Sequence, residues 1–343
     1  MKAAFQKHTL QFKHPSGTSR GILKTKDTYF LIIESDGKKG IGECGVFAGL
    51  SIDPMPAYES RLQWVCDNVH LGKEQLVAQL VEFPSIQIGV EIAFASLAST
   101  NPFEIFSSEF LSGAPISING LVWMGDQAFM KKQIAEKLKS GFSCIKMKIG
   151  AIDFTAEIDL LKSIRKEFSA SEIELRVDAN GAFKPEGALE KLKALSDLDL
   201  HSIEQPIKQG QWEQMASLCE HTPLDIALDE ELIGVFSAEK QEQLLETIRP
   251  QYIILKPTLI GGFAASDAWI KTSEEKNIAW WITSALESNV GLNAISQYTF
   301  IKNSKLLQGL GTGNLYTNNI ESPLEVINGT LRYNPNNTWN FNW

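Results

Sequence analysis

Apolar positions recur with two different periods along this chain, and the change of period divides it. Over residues 1 to about 54 the spacing is that of strands. Tyr29-Phe30-Leu31-Ile32-Ile33 is an apolar strand, and Ser35-Asp36-Gly37-Lys38-Lys39-Gly40 is a turn cluster suited to a hairpin. Gly40 to Asp53 follows as a glycine-rich loop. It lacks the Gly-Lys-Ser/Thr ending and the βα setting of a nucleotide loop, so a mobile lid over a site is expected. From Met55 to about Thr100 the period becomes helical. Tyr58, Leu62, Val65 and Val69 recur at three to four residues, and Ile86 to Leu97 forms a second apolar face on which Ala93, Ala95 and Ala98 allow close packing. Strands first and helices afterwards predict a small α+β domain over residues 1–113.

After Pro102 and Ser107-Ser108 the order changes to strand, helix, strand, helix. Pro115 to Trp123 predicts a first strand, and Asp126 to Lys139 a helix ended by Gly141. In Cys144-Ile145-Lys146-Met147-Lys148 apolar residues alternate with lysines. Side chains two apart on a strand share a face, so both ammonium groups point one way. Facing solvent they are an ordinary pair; facing inward they need compensation. Further strands end near Asp178, Glu204, Asp229, Lys256, Thr283 and Gly311, in steps of 30, 26, 25, 27, 27 and 28 residues from Lys148. An eight-unit βα barrel of about 250 residues needs about 31 per unit. Residues 114–320 therefore read as an α/β barrel of TIM type. Residues 321–343, with Leu331-Arg332-Tyr333 and an Asn- and Trp-rich tail, are expected to return to the small domain.

Composition narrows the functional classes. Of 343 residues, 43% are hydrophobic and 21% charged, which describes a soluble globular protein with ample core. A net charge of −9 disfavours nucleic acid and an anionic membrane surface as partners. No apolar run is long enough to span a bilayer, and Met1 to Leu10 has no apolar signal region, so a cytoplasmic location is expected. Cys44, Cys66, Cys144 and Cys219 are scattered, with no Cys-x-x-Cys pair, and read as reduced buried thiols. His8, His14, His70, His201 and His221 have no ligand spacing. Nothing in the sequence sets an oligomeric state.

The chemistry gathers at the strand ends. Lys148, Asp178, Glu204, Asp229 and Lys256 terminate five successive strands, at the end of a parallel barrel where catalytic groups are found. One such Asp is usually a cap or loop residue. Three carboxylates converging without a counter-charge would repel and protonate. A hard divalent cation with oxygen ligands, most simply Mg²⁺ with Mn²⁺ as an alternative, resolves this and leaves room for substrate oxygens. Lys146 and Lys148 enter before the carboxylates and Lys256 after them. Lysines placed on either side of a metal suit removal of a proton next to a carboxylate. A small-molecule carboxylate substrate follows.

At these residues the chain resembles the enolase superfamily, in its muconate-lactonizing-enzyme-like branch. The Lys-x-Lys pair, the Asp/Glu/Asp set and the later lysine match in type and order. Within that branch it looks most like the o-succinylbenzoate synthase family of menaquinone biosynthesis. The supporting segments are Arg176-x-Asp178-x-Asn180, Leu228-Asp229-Glu230, Lys256-Pro257-Thr258-Leu259-x-Gly261-Gly262 and Ser284-Ala285-Leu286-Glu287-Ser288-Asn289-x-Gly291, with Gly42-Glu43 through Ser51 resembling the lid loop. The resemblance implies an N-terminal capping domain and a (β/α)7β barrel. It implies dehydration of 2-succinyl-6-hydroxy-2,4-cyclohexadiene-1-carboxylate through a metal-stabilised enediolate, with Lys148 as base and Lys256 facing it. Asp178, Glu204 and Asp229 would hold Mg²⁺. Arg176 would orient a neighbour of Lys148, and Ser284 and the loop through Glu287 would touch the succinyl end. Glu230 reads as a support for the metal site or as an ion-pair former. Lys146 and Asn180 complete the implied set. Dipeptide epimerisation or N-acylamino acid racemisation would use the same two lysines. Those enzymes usually carry Asp-x-Asp near the last strand, whereas Gly311-Thr312-Gly313-Asn314 has no acid. Muconate cycloisomerisation and a non-catalytic relative are the remaining alternatives.

Overall fold

A computed structural model of the chain describes residues 1–18 and 21–342. Strands β1 (Lys2–Thr18), β2 (Gly21–Ser35) and β3 (Lys38–Cys44) form an antiparallel sheet in that order. Asp36 and Gly37, at φ 50° and 76°, make the tight β2–β3 turn. Helices α1 (Tyr58–Asp67), α2 (Lys73–Ala78) and α3 (Pro84–Ala98) follow. The apolar run in β2 is buried on both faces. Tyr29, Leu31 and Ile33 pack with Leu62, Val65 and Val90 from the helices. Phe30 and Ile32 turn the other way, onto Ile41 and Val290.

The expected loop from Gly40 is shorter than its glycines suggested. Gly40 and Gly42 lie within β3, where an added Cβ would meet Ala93 O at 2.1 Å and Gly89 O at 2.0 Å. They are glycines because α3 crosses the strand too closely for a side chain. The loop proper runs from 45 to 53. Its last residue, Asp53, accepts from Ser85 N and Ser85 Oγ (3.2 and 2.7 Å) at the first turn of α3. Burial pushes the Asp53 carboxyl up to about 6 against these two bonds.

The barrel begins after the short β4 (Ile116–Ser117), with β5 (Gly120–Val122) and α4 (Gln127–Lys139). Then come β6 (Cys144–Lys148), α5 (Phe154–Glu167), β7 (Glu174–Asp178), α6 (Pro185–Ser196), β8 (Ser202–Glu204) and α7 (Trp212–His221). The rest is β9 (Ile226–Leu228), α8 (Ala238–Ile248), β10 (Tyr252–Leu255), α9 (Pro257–Ile260), α10 (Gly262–Glu275), β11 (Ala279–Ile282) and α11 (Asn289–Lys302). The seven strands pair in parallel from β5 to β11. Gln308 bridges Ile118 and Gly309 bridges Thr283, so the ring closes through two residues where an eighth strand near Gly311 was expected. The architecture is a (β/α)7β barrel with an α+β cap.

The C-terminal segment divides. Strands β12 (Leu324–Ile327) and β13 (Thr330–Tyr333) join β4 in a small sheet at the end where the barrel strands begin. The unpaired edge of β4 takes β13. Arg332 Nη1 donates to Gly113 O at 3.0 Å and the Tyr333 ring lies 6.2 Å from Phe110; the tail beyond reaches further into the cap, with Phe341 5.1 Å from Phe30 and Trp339 stacked on Phe103 at 4.1 Å. All four cysteines are buried free thiols. Among the described residues no helix is long and apolar enough to cross a membrane.

Two measurements test this packing. Gly42→Ala is expected to cost at least about 1–3 kcal/mol in urea denaturation, because backbone and not a flexible side chain blocks the new methyl. Asp53 is held above its ordinary value, so folding favours its protonated form. The fold then loses up to about 3 kcal/mol from this group as pH rises from about 4 through about 6. Asp53→Asn keeps the oxygen that accepts from Ser85, and its Tm should exceed that of wild type by more at pH of about 8 than at about 4.

Candidate active site

Strand register brings the charged residues into one row. Lys148 pairs with Asp178 across β6 and β7, and Asp178 with Glu204 across β7 and β8. Leu228 pairs with Ile253, which places Asp229 just past the end of β9 and Lys256 just past β10. Inward-facing positions of parallel strands converge on the barrel axis, and all these side chains are buried. Asp178 is wholly inaccessible, and Lys148, at 9%, is the most exposed.

In a dry interior each charge needs a partner, and the contacts supply them. Lys146 Nζ bridges Asp178 (3.0 Å to Oδ2) and Glu204 Oε2. Lys148 Nζ donates to Asp178 Oδ2 at 2.6 Å and Asn180 Oδ1 at 2.7 Å. Lys256 Nζ donates to Asp229 Oδ2 and stands 3.9 Å from Glu204 Oε1. Burial alone would lower the lysine values, but Asp178 and Glu204 outweigh it and hold Lys146 above the ordinary range. Asp229 and Glu204 do the same for Lys256. Against burial, Lys146 and Lys148 keep Asp178 well below the usual carboxylate range, and Lys256 lowers Asp229. Glu204, between two other carboxylates, is pushed up by burial and then by Asp178.

Among the described residues no three His, Cys, Asp or Glu side chains gather as a ready-made metal site. The ammonium groups of Lys146 and Lys256 stand between neighbouring carboxylates instead. The donor set nevertheless fits a hard cation: three carboxylates from adjacent strands, with Glu204 Oε1 buried and accepting no hydrogen bond.

The supporting residues separate into three places. Asn180 Nδ2 donates to Glu230 Oε1 at 3.0 Å, so these two buttress Lys148 from behind the row. Asn180 is left-handed, at φ 45°, a conformation Asn tolerates better than most residues. Arg176 faces the barrel interior one layer below. It donates to Glu174 and to Leu307 O (2.6 and 3.0 Å), and its guanidinium lies 4.2 Å over the Trp281 ring. Its backbone is paired with Lys146 across β6 and β7, while its guanidinium lies a layer below Asp178, because two residues along a strand is a full layer of depth. His201 and Tyr252 continue that aromatic floor, stacked at 4.8 Å. Ser284 shares a hydrogen bond with Thr312 Oγ1 at 2.7 Å, and Glu287 lies behind it, accepting from Thr258 Oγ1 and Ala285 N.

Above the row opens a narrow cleft of about 70 Å³. Lys146, Lys148, Lys256, Ser284, Leu286 and Thr312 all line it. Phe47 and Leu50 of the 45–53 loop line it too, as does Trp123. Sequence reasoning marked the loop but not these side chains. Isolated apolar residues in a glycine-rich stretch give no period to read.

Residues 130–336 match the family described as enolase C-terminal domain-like. The o-succinylbenzoate synthase of Desulfotalea psychrophila is 44% identical over 96% of this chain and 98% of its own. The crystal structure of MenC from Desulfotalea psychrophila LSv54 superposes with a TM-score of 0.86, at 42% identity, over 97% of this chain and 99% of that one. The dipeptide epimerase of Enterococcus faecalis V583, complexed with Mg and the dipeptide L-Leu-L-Tyr, shares the fold. Its TM-score is 0.84 at 18% identity, over 96% of each chain.

Removing one member of the charged row should be far costlier than breaking a surface pair. In the presence of chelator, Lys146→Met is expected to destabilise the protein by about 3–5 kcal/mol, since it takes the ammonium from between two buried carboxylates and leaves Glu204 Oε2 without its donor. Lys193→Met, which breaks the exposed 3.0 Å pair with Glu190, should change stability by less than about 1 kcal/mol. Guanidinium melts of the two variants check the contrast.

Proposed function

Because the chain belongs to the o-succinylbenzoate synthase family of the enolase superfamily, we propose that it dehydrates 2-succinyl-6-hydroxy-2,4-cyclohexadiene-1-carboxylate to o-succinylbenzoate, a step of menaquinone biosynthesis, with Mg²⁺ as cofactor. It is a carbon–oxygen lyase. The observation that carries the reading is the row itself: three buried carboxylates flanked by Lys148 on one side and Lys256 on the other, at the floor of a cleft.

Asp178, Glu204 and Asp229 would hold the cation, which supplies positive charge to the substrate carboxylate as the neighbouring carbon loses its proton. Lys148 is the base. Its Nζ, fixed by Asp178 and Asn180, takes the proton from the ring carbon that bears the carboxylate. The same ammonium then returns that proton to the departing hydroxyl. One water leaves, no external acid is needed and the ring becomes aromatic. Lys256, across the cleft, keeps its proton and attracts the electron-rich ring. Lys146 neutralises Asp178 and Glu204. Ser284 and Thr312 meet the succinyl arm.

Epimerisation would draw on the same two lysines. The segment near the last strand presents the Thr312 hydroxyl to the cleft and carries no acid to hold an amine.

Conversion is followed by the loss of diene absorbance. Fast turnover with Mg²⁺ that stops with chelator is expected, and Lys148→Ala should lower kcat by about 10²–10⁴-fold while still binding Mg²⁺ in calorimetry. Dipeptides and N-acylamino acids should exchange their α-proton with deuterium far more slowly than the diene reacts. No conversion by folded, Mg²⁺-loaded protein would overturn the proposal.

A further inference from the structure

The wall that receives the succinyl arm is a strained segment. Between Ser284 and Ser288 the chain leaves β11 and turns into α11, and Leu286 adopts a left-handed conformation at φ 62°. A branched side chain does not hold that conformation unaided, and such residues persist where the surroundings over-determine them. Ser284, Ala285 and Leu286 all line the cleft.

Three contacts do the over-determining, and one comes from the cap. Tyr316 Oη donates to Leu286 O at 2.7 Å. Thr258, two residues after Lys256, donates to Glu287, whose carboxylate also takes Ala285 N at 3.0 Å. Glu43, the next-to-last residue of β3, accepts from Ser288 N (2.8 Å), Ser288 Oγ and Gly291 N (2.7 Å). It also accepts from Thr28 Oγ1 at 2.7 Å within its own sheet. The carboxylate is 1% exposed. It thus caps the first turn of α11 from 245 residues away in sequence. An anion suits that end of a helix, where backbone N–H groups lack partners. Lys26, buried on β2, faces both Glu43 and Glu287.

We propose that Glu43 is a positioning residue for this reaction. From the cap it fixes the segment 284–288, and with it the wall that binds the substrate's succinyl arm. The proposal rests on the synthase reading above and deepens it. A cap glutamate then contributes to substrate choice without touching substrate. Catalysis at the lysine row proceeds largely without it.

Glu43→Gln keeps the volume of the side chain but turns an amide N–H₂ toward donors. KM for the diene should rise about 10- to 100-fold, the size expected for losing charged hydrogen bonds at a site, with kcat little changed. The decisive readout is product affinity. Wild type should bind o-succinylbenzoate more tightly than benzoate, which has the ring carboxylate but no succinyl arm. Glu43→Gln should lose most of that difference while its affinity for benzoate and for Mg²⁺ stays as in wild type. Ser288→Ala, which removes one bond to Glu43, should show a smaller loss of the same kind and covers the case in which Glu43→Gln does not fold. If wild type fails to distinguish the two ligands, the synthase reading itself is at fault. If wild type distinguishes them and both variants do so equally well, only the role of Glu43 is overturned. A parallel fall in benzoate, Mg²⁺ and o-succinylbenzoate affinity overturns it too, in favour of a purely structural part.

Discussion

Three carboxylates and three ammonium groups share a space from which water is excluded, and neither set is tolerable there without the other. Lys146 lies between Asp178 and Glu204, and Lys256 between Glu204 and Asp229. Desolvating an ion costs several kcal/mol, which opposite charges at contact distance offset only when geometry is good. The parallel barrel supplies that geometry. Successive inward positions are placed side by side by strand register, as Lys148, Asp178 and Glu204 are. The arrangement stabilises the fold and prepares the chemistry at once. A lysine held between acceptors is oriented, and carboxylates held apart by lysines are near at hand for a cation.

The cap is seated by the same physics. Two of its buried glutamates serve helices of the barrel: Glu91 accepts from Phe263 N and Ala264 N at the start of α10, and Glu43 from Ser288 N and Gly291 N at the start of α11. Each helix end has backbone N–H groups with no partner inside the helix, and each glutamate would be an uncompensated charge without them. Lifting the cap as a body would break both sets together. The 45–53 loop contributes Phe47 and Leu50 to the lining of the cleft. That loop is joined to the core by Asp53 and Ser85 at one end and by β3 at the other.

Much of the site was legible because a βα barrel is regular. The step from Lys148 through Gly311 stays between 25 and 30 residues, so a charged residue at each strand end must point to the same mouth. The cap was legible in kind, from its change of period. Its details were not. Gly40 and Gly42 resemble loop glycines in sequence and are strand glycines in fact, since the reason for them is the backbone of α3 2 Å from a missing Cβ. Arg176 resembles a site residue by its neighbour Asp178, yet depth along the strand gives it to Trp281. The segment after residue 321 pairs with β4 through an edge that local pattern does not announce.

The order and identity of the charged residues, the number of βα units and the two-part build are properties of the sequence alone. They follow from periods and spacings that any fold of this chain must satisfy, because side-chain direction is set locally by backbone geometry. Which ammonium meets which carboxylate was decided only by tertiary structure. So were the left-handed turn at Leu286 and the use of Glu43 to cap a helix 245 residues away. These are contacts between parts of the chain with no common period. They arise only when packing has excluded water and left each buried charge to find its partner.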